Sequence, residues 1–219
     1  MTEKIYLDNA STTRISGEVL NEMNKVYTST FGNSSSLHSF GRDASALIDA
    51  SRDTIADSIN AKSNEIYFTA SGSEANSWAI IGLANANRAK GNQIITSKIE
   101  HESILNACKY LEKNGFQVTY LDVDKNGFIN FADLLHAITD KTILISIMSA
   151  NNEIGTIQNI KAIAHTAHEK NIIFHTDAVQ LYGHMTLDVK DLGIDAMTMS
   201  AHKIYGPKGV GALYLSNDV

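Results

Sequence analysis

Two hydrophobic periods alternate along this chain. Near the start, Ile5-Tyr-Leu-Asp8 reads as a short extended piece and Asn9 to Thr13 as a polar turn. Val19, Leu20, Met23, Val26 and Tyr27 recur at three- and four-residue spacing, as do Ala44, Leu47, Ile48, Ile55 and Ile59 within 42–59. Both stretches predict amphipathic helices. The segment 31–38 between them is rich in Gly, Asn and Ser and reads as a loop.

From residue 65 the period shortens. Apolar runs predict strands at 65–69, 93–97, 117–121, 143–148, 171–175, 195–199 and 210–215. Helical spacing returns between them: over 74–90, at Ile104, Leu105, Cys108 and Leu111, at Phe131, Leu134, Leu135 and Ile138, and at Ile160, Ile163, Ala164 and Ala167. The run 143–148 is almost continuously apolar, as expected of a strand covered on both faces. Strand–helix repetition of this length predicts α/β: a three-layer α/β/α architecture with a mostly parallel sheet of about seven strands. No internal repeat or low-complexity linker interrupts it. Residues 1–15 read as an N-terminal arm and 16–219 as one large domain.

Composition narrows the function. The chain has 219 residues and a formal net charge of −6, with no long basic cluster, so direct nucleic-acid binding is not expected. No apolar run is long enough to span a bilayer and the N-terminus has no apolar signal region, so neither a membrane nor an export route is expected. A single cysteine, Cys108, rules out an intrachain disulfide and suits a reducing cytoplasm. Pro207 is the sole proline, so turns depend on Gly, Asn, Ser and Asp.

Candidate chemistry gathers just after the strands. Lys203 lies between an apolar run and a glycine-rich turn, flanked by Ser200, His202 and Ile204-Tyr205. A partly desolvated lysine there loses its proton readily and can form a Schiff base; the plain alternative is a loop lysine before a Gly-Pro turn. Gly72 and Ser73 fall at a predicted helix N-terminus, which suits either a phosphate or a simple serine cap. Asp177 ends or follows a strand, where it could hold a ring nitrogen protonated or merely cap a helix. His101 and Asn152 follow two further strands. In a parallel sheet Ser73, His101, Asn152, Asp177 and Lys203 all converge on one edge, which favours a shared site over separate local roles.

Three other patterns read as structural. Asp122 to Asp133 matches the oxygen positions of a calcium loop but follows a strand and ends in Asp rather than Glu. His165 and His168 read as solvated residues on the exposed side of a helix, with no third ligand nearby. Cys108 lies in an apolar stripe and reads as a buried structural thiol.

Together, Tyr6-Leu-Asp-Asn-Ala10, Ser71-Gly-Ser-Glu-Ala-Asn76, Thr96 to His101, Asn151-Asn-Glu-Ile-Gly155, His175-Thr-Asp-Ala-Val-Gln180 and Ser200 to Tyr214 resemble the cysteine desulfurases. More narrowly, they resemble the NifS/IscS branch of the class V aminotransferase superfamily. The resemblance extends over essentially the whole chain. It implies the large domain of pyridoxal-phosphate fold type I and the conversion of L-cysteine to L-alanine with sulfur transfer to an enzyme persulfide. It implies that Lys203 holds the cofactor and shuttles protons, that Asp177 pairs with the pyridinium nitrogen, and that His101 stacks on the ring. It places Gln180 at the phenolic oxygen, Asn152 beside the ring, and Gly72, Ser73, Ser200 and His202 around the phosphate. It further implies a homodimer, a sulfur-acceptor or scaffold protein, a cytoplasmic setting and a role in iron–sulfur cluster assembly.

Two departures stand out. Arg14 and Ser34 replace prolines frequent in the family. The family's catalytic cysteine and substrate-gripping arginine belong to a small C-terminal domain that has no counterpart in these residues. A large domain inactive on its own is therefore expected, with a cofactor-binding remnant or another class V aminotransferase or lyase as the alternative.

Overall fold

A computed structural model describes residues 4–219. Two helices, α1 (Gly17–Ser29) and α2 (Ser39–Ser58), precede the sheet. The chain then runs β1 (Ile66–Thr69), α3 (Gly72–Ala86), β2 (Gln93–Ser97), α4 (Glu102–Lys113), β3 (Gln117–Leu121) and α5 (Phe131–Ala137). It continues with β4 (Thr142–Ser146), α6 (Ile160–Glu169), β5 (Ile173–Asp177), α7 (Val189–Leu192), β6 (Ala196–Ser200) and β7 (Gly211–Leu215).

The seven strands make one sheet in the order β1-β7-β6-β5-β4-β2-β3. Neighbours from β6 through β3 are parallel, whereas β7 is antiparallel to both β6 and β1. β7 alone is therefore reversed, and β1 points the same way as β2 to β6. The connection from β6 to β7 carries no crossover helix, and only an antiparallel neighbour can be reached by such a return. Because just one strand is reversed, the C-terminal ends of β1, β2, β4, β5 and β6 share an edge.

Strand side chains alternate between two apolar layers, the period-2 consequence of a pleated backbone. Ile94, Leu144, Ala196 and Leu213 face the layer built from α3 and α4. Their neighbours Ile95, Ile145, Met197 and Tyr214 face the layer that includes residues of α2, α5, α6 and α7. The predicted three-layer α/β/α architecture and its seven-stranded, mostly parallel sheet are thus present.

Local sequence explains the helix starts. The side chains of Ser16, Ser71, His101, Asn130, Asn159 and Asp188 each accept a backbone N–H from the first turn they precede. In the calcium-like loop, Asp124 Oδ1 instead accepts the N–H groups of Asn126 and Phe128, both at 2.9 Å, across a bridge between Val123 and Ile129. The carboxylate organises a turn.

Several boundaries differ from the sequence expectation. α2 begins at Ser39, three residues early, and its stripe is not fully covered, since Leu47 and Ile48 are 39% and 40% exposed. α1 buries no residue at all. The strand expected at 171–175 lies at Ile173–Asp177 because Asn171 adopts a left-handed φ of 56° and closes α6. α7 was not anticipated; its four residues are too few for a periodic signal, and Asp188 and a left-handed Gly193 delimit it. His168 is also not merely solvated, since its Nε2 lies 2.9 Å from Asp195 Oδ2.

Candidate active site

Every site residue singled out from the sequence lines one cleft of about 480 Å³ at the shared strand edge: Gly72, Ser73, His101, Asn152, Asp177, Gln180, Ser200, His202 and Lys203. Asp177 is the last residue of β5 and is buried. Its Oδ1 accepts the N–H of Val179 at 2.9 Å and its Oδ2 accepts Asn76 Nδ2 at 2.7 Å. Burial pushes its carboxyl above the usual range, while those two bonds and the nearby His101 and Lys203 pull it back.

Lys203 ends a short 3-10 turn, Ala201–Lys203, directly after β6. Its Nζ donates to the carbonyl of Ala10 and, at 2.9 Å, to that of Ser11. Burial pushes the ammonium below the ordinary lysine range, against the opposing charges of Asp177, Asp8 and Glu153. An amine so placed is a competent nucleophile and proton carrier. Gln180 Nε2 also donates to the Ala10 carbonyl, at 2.9 Å.

One end of the cleft is built from backbone. Ser71 caps α3 by accepting the Glu74 N–H at 3.1 Å, which leaves Gly72 and Ser73 in the first turn with free N–H groups aimed out of the helix. A Cβ at Gly72 would lie 2.8 Å from Val179 Cγ2 and 3.4 Å from Ser200 Cβ, so glycine lets the helix start close against β6. Ser200 Oγ is buried with no hydrogen-bond partner among the described residues. His202 stands beside it, its Nδ1 3.1 Å from Thr12 Oγ1. Asn152 Nδ2 donates to Glu153 at 2.8 Å on the opposite rim.

Sequence reasoning missed several components. Asp8, Ala10 and Ser11 line the cleft. Thr13 bolts the N-terminal segment down: its N–H and Oγ1 donate to the His202 carbonyl at 2.8 and 2.9 Å, and its Oγ1 accepts the Tyr205 N–H at 2.8 Å. The hydroxyl-rich turn at 11–13 was visible, but nothing in its spacing pointed to residues about 190 positions away. Asn76, a buried amide among Ala75, Ala79 and Ile80, was a legible anomaly. Behind the cleft, Glu100 Oε1 accepts Ser97 Oγ at 2.7 Å and the Met148 N–H at 2.9 Å, while Oε2 has no partner among the described residues. Cys108 is fully buried and its thiol is pushed up to about 12, chiefly by burial.

A lysine amine, a buried carboxylate and a helix N-terminus thus meet on one edge of an α/β sheet. Residues 5–219 match the aminotransferase class-V family, and the chain belongs to it. It is 55% identical over 219 residues to cysteine desulfurase IscS of Clostridium botulinum, covering 100% of this chain and 55% of that protein. It is 46% identical over 217 residues to a putative cysteine desulfurase IscS 1 of Bacillus subtilis, covering 57% of it. Among solved structures, a NifS-like protein superposes with a TM-score of 0.96 at 36% identity, over 99% of this chain and 60% of that one. SspA in complex with cysteine superposes with a TM-score of 0.94 at 42% identity, over 98% and 62%. The chain thus spans about half the length of the curated relatives it matches.

Proposed function

We propose that residues 1–219 form the cofactor-binding part of a pyridoxal-phosphate-dependent cysteine desulfurase, which takes L-cysteine to L-alanine and hands the sulfur to an acceptor or scaffold protein. The observation that supports it best is the convergence of Lys203, Asp177 and the unpartnered, buried Ser200 hydroxyl on one cleft. A phosphorylated pyridine aldehyde suits that donor set: an amine for the aldehyde carbon, a carboxylate for the ring nitrogen, and an orphaned hydroxyl beside a helix N-terminus for the phosphate.

In this reading Gly72, Ser73, Ser200 and His202 hold the phosphate. Asp177 would keep the ring nitrogen protonated, Gln180 would hold the phenolic oxygen, and Asn152 would contact the ring. Lys203 would hold the aldehyde carbon and could carry a proton at Nζ; the fall of its ammonium below the ordinary range makes that exchange accessible. His101 would hold the ring face and could exchange a proton at its Nε2. When bound, the cofactor supplies an electron sink for charge that develops at the substrate carbon.

The residue that receives sulfur in this reading is not Cys108, whose buried, protonated thiol neither reaches the cleft nor ionises near neutral pH. The reading includes a homodimer in the cytoplasm. No helix among the described residues is long and apolar enough to cross a membrane.

The test is borohydride reduction of the chain with pyridoxal phosphate, followed by peptide mapping. The label is expected on Lys203, and Lys203→Ala is expected to lose both the label and the cofactor's protein-bound absorbance. Labelling of a different lysine, or none, would overturn the assignment. Residues 1–219 alone are expected to release no sulfide from L-cysteine; steady alanine formation would contradict this.

A further inference from the structure

Asp177 and His101 are linked by two side chains, Asn76, which also lines the cleft, and Ser103. Asn76 Nδ2 sits 2.7 Å from Asp177 Oδ2 and 3.0 Å from Ser103 Oγ, which uses both of its protons. Ser103 Oγ lies 2.8 Å from His101 Nδ1, and the Ser103 backbone N–H donates to the same nitrogen at 3.1 Å. A backbone amide can only donate, so His101 Nδ1 is an acceptor and the neutral ring carries its proton on Nε2. The amide orientation is fixed as well. A flipped Asn76 would set its oxygen against the carboxylate, and its Oδ1 already has no partner in the present orientation. Asn76 is buried on α3, Ser103 lies in the first turn of α4, and their helices pack together, so the chain spans two rigid elements.

We propose that Asn76 and Ser103 are positioning residues that tie Asp177 to His101, setting the carboxylate that meets the ring nitrogen and the imidazole Nε2–H together. The proposal rests on the pyridoxal-phosphate reading of the cleft. Other charged groups facing Asp177 are Lys203, across the cleft, and Glu100, behind it. Neither makes the bond that Asn76 makes: Lys203 Nζ donates to the Ala10 and Ser11 carbonyls, and the hydrogen bonds of Glu100 run to Ser97 and Met148.

NMR on the cofactor-free chain, labelled with 15N-histidine and 13C-aspartate, tests it. His101 is expected to show a bare Nδ1 and a protonated Nε2. Ser103→Ala should raise the minor tautomer about fivefold, the effect of one ordinary hydrogen bond, and Ser103→Thr should restore the wild-type ratio. Asn76→Ala should move the Asp177 carboxyl titration up by about one pH unit, as expected for one lost bond to a charged group. If Asn76→Ala does not fold, the near-isosteric Asn76→Asp serves, placing two carboxylates together and moving the titration further in the same direction. An unchanged tautomer ratio and an unchanged Asp177 titration would overturn the proposal while leaving pyridoxal phosphate bound at Lys203 untouched. Changes in both signals in a chain that never binds pyridoxal phosphate would instead overturn the reading beneath it, and the positioning role with it.

Discussion

Two buried titratable residues outside the cleft pull the response to pH in opposite directions. Burial raises the Glu100 carboxyl from 4.5 to about 8, so near neutrality it is a neutral acid inside the fold. Burial lowers His175 from 6.5 to about 3, so its ring stays neutral between Ser146 Oγ and Thr198 Oγ1, at 2.9 and 3.2 Å. The two act in opposite senses. The Glu100 contribution is full below pH 4.5 and is lost as pH rises through about 8. The His175 contribution is full above pH 6.5 and is lost as pH falls through about 3. Their slopes cancel between 4.5 and 6.5, which predicts a stability plateau there with losses on both sides. Asp177, also raised by burial, contributes in the same sense as Glu100. Urea unfolding at pH 6.5 and pH 8 should show a loss of about 2 kcal/mol from Glu100. Glu100→Gln keeps an oxygen for Ser97 and Met148 and should remove most of that loss. An equally steep fall in the variant would show that Glu100 is not its source.

At the scale of elements, the helix-N-terminal end of the cleft depends on how closely β7 passes the start of α3. A Cβ on Gly211 would stand 2.6 Å from the Ser71 carbonyl carbon and 2.8 Å from its oxygen, both rigid backbone atoms. Gly211→Ala must therefore push β7 and the α3 cap apart, at a cost of about 1–3 kcal/mol. Thermal unfolding should show a drop of several degrees, and pyridoxal-phosphate affinity should fall with it. Gly17 is the control, since a Cβ there meets nothing within 4 Å. Gly17→Ala should leave both measurements unchanged; a matching loss there would point to a general glycine effect. Helix signals were the most legible part of the sequence at this scale, because caps and periodicity are local. The β-strand at 173–177 was displaced by two residues because a left-handed Asn171 prolonged the turn after α6, and αL residues other than glycine leave little trace in a sequence.

At the scale of the whole molecule, the N-terminal segment and the lysine turn form one unit. Thr13 Oγ1 bonds both the His202 carbonyl and the Tyr205 N–H, and Tyr205 is held at a φ of 64° with its own carbonyl accepting the Ser16 N–H. Thr13→Val keeps the shape and removes both side-chain bonds, leaving a partly buried donor unmet at a cost of about 1–3 kcal/mol. Hydrogen exchange should accelerate in residues 8–13 and in the turn 201–205 while β2, β4 and β5 stay protected, and Lys203 should react faster with an amine-directed acylating reagent. Uniform acceleration across the sheet would show that the segment belongs to the global fold instead. By itself the sequence determined the alternation of strands and helices, the α/β class, and the residue types that end each strand, because hydrophobic period, caps and turn residues act over a few positions. Tertiary structure alone decided that β7 reverses, that the segment 8–13 closes over Lys203, and that Asn76 and Ser103 reach Asp177 and His101. Those pairings join residues as far as 193 positions apart, and contacts at such separations follow from how layers pack, which no local pattern encodes.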